Sequence, residues 1–569
     1  MAALLLLVPS TSTAVPSPWC QNASAPPVPG MYGNLGNADL VGPRGASGFF
    51  IDLPQGVAPL FAAALAHLWG FNNVEAHRGF SATVVSAPDC ALCHWGVAAS
   101  LASNINYDIE DQGALNRAAE AAVGLAAHQP SLTQKTRRLI AAIACLQGND
   151  VASRQRYANA LCDTPEAASD PDVATLCAGA LMATTPWRYY NGTAGGKHEP
   201  LLPAMVPVKR LLLANIDLGI GGGPHAFAIH LLIHLLEPTN APEGYRWLAV
   251  GPTQELFETH GAALVPAQGH LTHMPAHLFL RVGRYAEAVA TAQRSIDNNE
   301  RYLAACLHPY GYGHNLKMLV ANARFAGMSG RALQSAHKTL APAAGAEATP
   351  AGGDACVDCA GAGSPEVVLT MARFGMWEAL LAEAVPTSWG HPRWTGYNEA
   401  AFRLARALAL YALGQRETSA DAEARAAVAA AADDWKDVVP AEAAAVRAWR
   451  VTHDGPATVA AYERAVAAMD AIPYLEPPRW YFPLRQCLGY VLLTPAPGGG
   501  TGHVNATQAL AVFTADLQNY PENAFSLLGT AKALRALGRA NAALDYDKRS
   551  TIAWQFADVP LHSPCQQLA

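Results

Sequence analysis

Charge is scarce in this chain: only 15% of its 569 residues are Asp, Glu, Lys or Arg, and no Lys/Arg cluster recurs along it. Neutralising phosphates takes clustered cations, so the composition, with a net charge of −7, argues against nucleic acid as a partner. Runs of alternating Val, Ile and Thr are also missing, which removes support for a β-rich fold. No later stretch is a membrane span. The most apolar, Ala226 to Leu236, is too short and carries two histidines. Nor does a Ser-His-Asp or Cys-His catalytic spacing stand out. Gly221-Gly-Gly223 runs into Pro224 with no Lys-Ser or Lys-Thr after it, so it is not a phosphate loop. What is plentiful is apolar: 51% of the residues are hydrophobic, with alanine abundant. That composition supports a continuous buried core built from helices.

The first residues, Met1 to Val8, are an apolar run followed by Ser10-Thr-Ser-Thr-Ala14, which resembles a secretory leader cleaved near Ala14. Three glycosylation triplets begin at Asn22, Asn191 and Asn505. Eleven cysteines fit disulfides in an oxidising compartment, with one thiol left over and the pairing open. Together these features place the protein in the secretory pathway or outside the cell. Cys90-Ala-Leu-Cys93-His94 spells a c-type haem attachment site. It opens a helix beside Trp95, however, where a local disulfide or two half-buried thiols is favoured over covalent haem. Cys356 and Cys359 fall in a low-complexity loop and point to a loop disulfide rather than a zinc knuckle.

Internal repetition sets the architecture. Leu278-Phe-Leu-Arg-Val-Gly283-Arg-Tyr285-Ala-Glu-Ala288 combines a helix end, a glycine turn, an aromatic and a small residue three further on. The underlying pattern, an amphipathic helix, a glycine-containing turn and a second helix with small residues at fixed places, returns from His314 through Gly327 to Ala332, from Phe402 through Gly414, and from Phe525 through Gly538 to Ala543. A looser relative pairs Leu60–Gly70 with Glu75–Val85. Small residues at these sites let paired helices approach closely, and each pair leaves an apolar face that only a neighbour can cover. The pattern resembles the tetratricopeptide repeat, which implies an all-α solenoid of helix-turn-helix units.

Further segments resemble a bacterial and algal family of tetratricopeptide-repeat proteins of unassigned function, over most of the chain. They are Phe71-Asn-Asn-Val-Glu75-Ala-His-Arg78, Cys90-Ala-Leu-Cys93-His-Trp95-Gly96, Asn104-Ile-Asn106, Gly269-His-Leu-Thr-His-Met-Pro-Ala-His277, His314-Asn315 and Glu476-Pro-Pro-Arg-Trp480-Tyr481. The chain departs from that family at Asn73, where His is frequent, and at His94, where Tyr is usual. The resemblance implies a fold and no reaction. On this reading the chain divides into a leader (1–14), an irregular segment (15–45), a first array holding most histidines (46–340), an Ala/Gly/Cys loop (341–365) and a second array (366–569).

The histidines are the sharpest chemical signal. His230 and His234 are four apart and lie about 40° apart on one helical face, with Glu237 on the same stripe. His225 follows Pro224 in what should be the first turn of that helix, within reach of the same region. One unit later come His270, His273 and His277, then His314. The tetratricopeptide alignment implies that they line the concave face, although Pro275 suggests a regular helix beginning only near it. Imidazole suits zinc, copper and iron, and i,i+4 pairs chelate. The expected ligands are His230, His234, His273 and His277, with His225, Glu237, His270 and His314 as outer partners or a second site; Met274 is either a soft donor or core. The first reading is therefore a secreted metal-binding solenoid. The alternatives are a metal-free scaffold gripping a peptide or protein in its groove, and a metalloenzyme using the same histidines.

Overall fold

The computed structural model describes residues 52–191, 201–217, 225–238, 268–304, 307–341, 361–390, 392–414, 417–472, 474–497 and 504–568. The expected leader, Asn22, the Gly221–Pro224 run, Cys356 and Cys359 lie outside them.

The described residues form an all-α array of tetratricopeptide-like helix hairpins. The order is α1 (Ala58–Trp69), α2 (Asn73–Ser86), α3 (Ala91–Ser100), α4 (Gln112–Ala127), α5 (Gln134–Ile143), α6 (Val151–Cys162), α7 (Glu166–Ser169), α8 (Pro171–Thr184), α9 (Met205–Asp217) and α10 (Ala226–Leu236). Then come α11 (Gly269–Val282), α12 (Tyr285–Ala304), α13 (Tyr312–Ala326), α14 (Ser329–Lys338), α15 (Glu366–Arg373), α16 (Trp377–Ala382), α17 (Thr395–Ala412) and α18 (Glu417–Ala430). The array ends with α19 (Val438–Arg447), α20 (Gly455–Ala471), α21 (Arg485–Leu493), α22 (Ala506–Asn519), α23 (Ala524–Ala536) and α24 (Ala540–Ala553). Most helices pack on their successor. The odd-numbered helices from α11 to α19 also touch one another in sequence, forming one layer of the solenoid.

The turns explain this regularity. Gly283, Gly327 and Gly538 take left-handed φ of 79°, 72° and 73°. The next residue's N–H then reaches back five places, Arg284 to Phe279, Met328 to Ala323 and Arg539 to Leu534. This closure satisfies carbonyls that the helix end would leave bare, and glycine adopts it without a Cβ penalty. The small residues predicted beyond the turns, Ala288, Ala332 and Ala543, are fully buried. Helix α11 corrects one expectation, because it runs through Pro275 from Gly269. Its first turn is closed from outside by the Gln268 side chain, which accepts from the Leu271 N–H at 3.0 Å.

Disulfides join Cys90 to Cys93, Cys162 to Cys177 and Cys487 to Cys565, and Cys145 is a free thiol. The two sulfurs of the haem-like motif are thus bonded to each other. No helix among the described residues is long and apolar enough to cross a membrane.

Candidate metal centre

Four segments meet in one buried chamber: α10, α11, the start of α13, and the loop carrying Tyr474 and Glu476. His230 and His234 come from α10, His270, His273 and His277 from α11, and His314 from α13. All six are at least nine-tenths buried. Their ring nitrogens fall into two triads, His230/His234/His270 and His273/His277/His314, with donor atoms within 4.8 Å of one another in each. A third group joins His234 to Glu237 and Glu476. The triads adjoin, since the His270 and His273 rings are 4.7 Å apart and those of His234 and His277 6.0 Å.

Hydrogen bonds fix which nitrogens face inward. His230 Nδ1–H donates to the Trp69 carbonyl at 2.6 Å. His234 Nδ1–H donates to Glu237 Oε1 at 2.7 Å. His277 Nδ1 lies 2.9 Å from Glu237 Oε2 and 2.7 Å from Glu476 Oε2. With each Nδ1 engaged outward, the Nε2 atoms are left for the interior. His230 Nε2 meets His270 Nε2 at 3.0 Å, and His273 Nε2 meets His277 Nε2 at 2.8 Å. His234 Nε2, His270 Nδ1 and His273 Nδ1 are buried without a hydrogen-bond partner. Histidines that bind metals hold their second nitrogen in this way, on a carboxylate or a backbone carbonyl.

Electrostatics divide the rings. Burial, reinforced by neighbouring imidazoles, holds His230, His270 and His273 well below their ordinary range, and pushes His234 down to about 3. These four are neutral donors. Burial also opposes charge on His277, but Glu237 and Glu476 outweigh it and raise the imidazole to about 10. Burial acts against charge on Glu237 too, yet His277, Glu476 and Tyr474 keep its carboxyl below the usual value. Burial and the Glu237 charge push Glu476 up.

The surrounding sequence motifs serve this chamber. Phe71 has a left-handed φ of 57°, costly for an aromatic residue, and its ring sits 4.3 Å from that of His230. Asn72 donates to the His308 carbonyl at 2.8 Å and Glu75 Oε1 accepts from the His308 N–H at 2.8 Å. Asn106 donates to the Tyr310 hydroxyl at 3.1 Å. These bonds hold the segment whose Tyr310 ring lies 4.9 Å from His270. Trp187 closes another side, 5.2 Å from His234.

Glu476 and Tyr474 depend on a distant anchor. Trp480 Nε1–H and the Tyr481 hydroxyl both donate to Glu442 on α19, at 2.8 and 2.9 Å. Burial raises Glu442 from 4.5 to about 7, against the pull of those two bonds. The folded state therefore binds this proton more tightly than the unfolded chain. The associated stability is fully present below about pH 4.5 and is lost as pH rises to 7, on the order of 3 kcal/mol. A Glu442→Gln variant, which keeps an acceptor for Trp480 and offers a donor to Tyr481, should melt above the parent at pH 8 and with it at pH 4.5. Equal melting at both pH values would contradict the assignment.

The structure brings together seven of the eight residues expected from sequence. His225 stands apart: its Nδ1 accepts from the Ala228 N–H and caps α10, while Nε2 pairs with Asp172 at 3.1 Å. The capping geometry, set by its place just before the helix, turns the ring away from the triads. Met274 is buried in the apolar core. Glu476, known from sequence only as the first residue of the Glu476-Pro-Pro-Arg-Trp480-Tyr481 segment, enters the chamber beside His277. Tyr474 enters unannounced and donates to Glu237 Oε2 at 2.9 Å. The Asn505 side chain caps α22 by accepting from the Gln508 N–H at 3.0 Å, and Asn191 is exposed.

No family model matches the chain, and no curated protein matches it. Among solved structures it is similar to a chain of the APC/C hetero-tetramer Cut9–Hcn1, with 12% identity, a TM-score of 0.29, and 88% of this chain and 81% of that one covered. It is also similar to a chain of Naa15/Naa10 bound to HypK-THB, with 12% identity and a TM-score of 0.22, covering 89% of this chain and 63% of that one.

Proposed function

We propose that this protein is a transition-metal-binding helical-repeat protein whose buried histidine chamber holds the ion. The supporting observation is the tethering of the His230, His234 and His277 Nδ1 atoms, which turns their Nε2 atoms to the chamber, where each triad brings three histidine donor atoms within 4.8 Å of one another. An imidazole-rich donor set without thiolate suits copper(II), zinc or iron over calcium or magnesium. His230, His234 and His270 would hold one ion, and His273, His277 and His314 a second. Glu237 and Glu476 supply negative charge beside them. His277 must release its Nε2 proton to become a ligand, so affinity should fall as pH is lowered.

The test is elemental analysis of the full chain from its native source, and again after equilibration with zinc or copper and desalting. One to two ions per chain are expected, lost in a variant carrying His230→Ala, His234→Ala and His273→Ala. A metal-free parent, or a variant that keeps its full metal content, would overturn the proposal; the metal-free parent would favour an interaction scaffold.

A secretory location is part of the same proposal, supported by the leader-like start, the glycosylation triplets and the three disulfides among the described residues. The Cys487–Cys565 bond spans 78 residues. In the chain-entropy picture such a loop stabilises the fold by about 4 kcal/mol. Reduced protein should therefore melt well below oxidised protein, and peptide mapping of secreted material should recover the Cys487–Cys565 pair. Fully reduced thiols in freshly isolated protein would contradict the location.

A further inference from the structure

A second cavity shares Phe71 with the wall of the histidine chamber and lies among α1, α2, α3, α6, α8 and α10. Its volume is about 70 Å³, room for roughly five water-sized groups. Its wall is mainly hydrocarbon, including Leu68, Phe71, Ile105, Leu176, Phe227 and Leu231. Set in that wall are two buried polar side chains with an unused atom each, and the half-buried Asn104, whose Oδ1 accepts from the Asn106 N–H at 2.7 Å and whose Nδ2 is a further donor without an acceptor. Asn73, 4% exposed, donates Nδ2–H to the Ser100 carbonyl at 2.8 Å, which fixes its amide orientation and leaves Oδ1 as an acceptor without a partner. Arg154, 6% exposed, gives one terminal nitrogen to the Ala183 carbonyl at 2.9 Å and the other to Asp108, leaving Nε–H without an acceptor.

We infer that this cavity is a binding site for a small, uncharged, mainly hydrocarbon molecule bearing a hydroxyl group. The apolar wall selects the hydrocarbon body. A hydroxyl is the small neutral group that can donate to an acceptor such as Asn73 Oδ1 and accept from a donor such as Arg154 Nε. A carboxylate fits less well, because Asp108 already balances the Arg154 charge and a second anion would be buried uncompensated. A purely hydrocarbon ligand would leave both polar atoms desolvated and unpaired, which is unfavourable. The site is independent of the metal reading, since none of its polar groups belongs to the histidine triads. It also gives a role to Asn73, where the chain departs from the family it resembles.

The test is calorimetric titration of the full chain with 1-butanol, n-pentane and propionate in parallel, each of about five non-hydrogen atoms and so matched to the cavity. 1-Butanol should bind saturably, about tenfold more tightly than either of the others. Ala102→Leu and Ala180→Leu each place a larger side chain in the cavity wall. Each should weaken 1-butanol binding by about tenfold or more while a folded thermal transition persists; if one variant fails to fold, the other carries the test. Three results would overturn the inference: no saturable 1-butanol binding, n-pentane or propionate binding as tightly as 1-butanol, or parental 1-butanol affinity in a folded, cavity-filled variant.

Discussion

A Glu237→Gln variant should bind metal about tenfold to a hundredfold more weakly than the parent, and its metal-free form should lose about 3–5 kcal/mol of stability. Glu237 is fully buried and takes three contacts at once, from His234 Nδ1, His277 Nδ1 and the Tyr474 hydroxyl. Glutamine keeps the size but offers only one acceptor oxygen and turns an N–H₂ group toward groups that already carry protons. His234 and His277 then lose the partner that orients them. His277 keeps Glu476, yet its charge is no longer balanced as before, and a buried charge deprived of a partner is costly. The two effects are separable by chelator competition for affinity and by chemical denaturation with chelator present. If stability falls while affinity stays at the parental value, Glu237 braces the fold alone and the metal lies elsewhere.

Gly283→Ala should cost about 3 kcal/mol or more, against about 1 kcal/mol for Gly414→Ala. Both glycines end a helix with left-handed φ, 79° and 61°. They differ in what a Cβ would meet: at Gly283 it would come within 2.2 Å of the Pro521 carbonyl oxygen, while at Gly414 nothing lies within 4 Å. Tyr285 strengthens the same junction by donating its hydroxyl to the Pro521 carbonyl at 2.8 Å. The turn between α11 and α12 therefore abuts the chain ahead of α23, and backbone atoms cannot yield as a flexible side chain would. Denaturant titration of the two variants isolates the close approach. Equal losses would mean that Gly283 serves the turn alone.

Local rules made the hairpins and the histidine faces legible. Turn glycines followed five places on by a buried alanine are a short-range signal, and the chain obeys it at Gly283, Gly327 and Gly538. His230/His234 and His273/His277 share faces because four residues is close to one helical turn. The failures come from interactions that spacing cannot express. His225 is expected from sequence to be an outer partner or part of a second site, but the N-cap position and Asp172, more than fifty residues earlier, take both of its nitrogens. Pro275 would ordinarily start a helix, yet the Gln268 cap supports a turn before it. Tyr474 and Glu476 reach Glu237 across a long stretch of chain, held by Trp480 and Tyr481 on Glu442, and nothing local to them announces the destination. The reason Gly283 must be glycine was only half visible: the left-handed turn is local, and the approach to Pro521 is not.

The most direct test of the histidine chamber is anomalous X-ray scattering at the zinc or copper edge from crystals of the full chain equilibrated with that metal. The account predicts a peak about 2.0–2.1 Å from imidazole nitrogens of His230, His234 and His270, of His273, His277 and His314, or of both triads. A peak confined to surface residues, or no peak in crystals that diffract well, would contradict it.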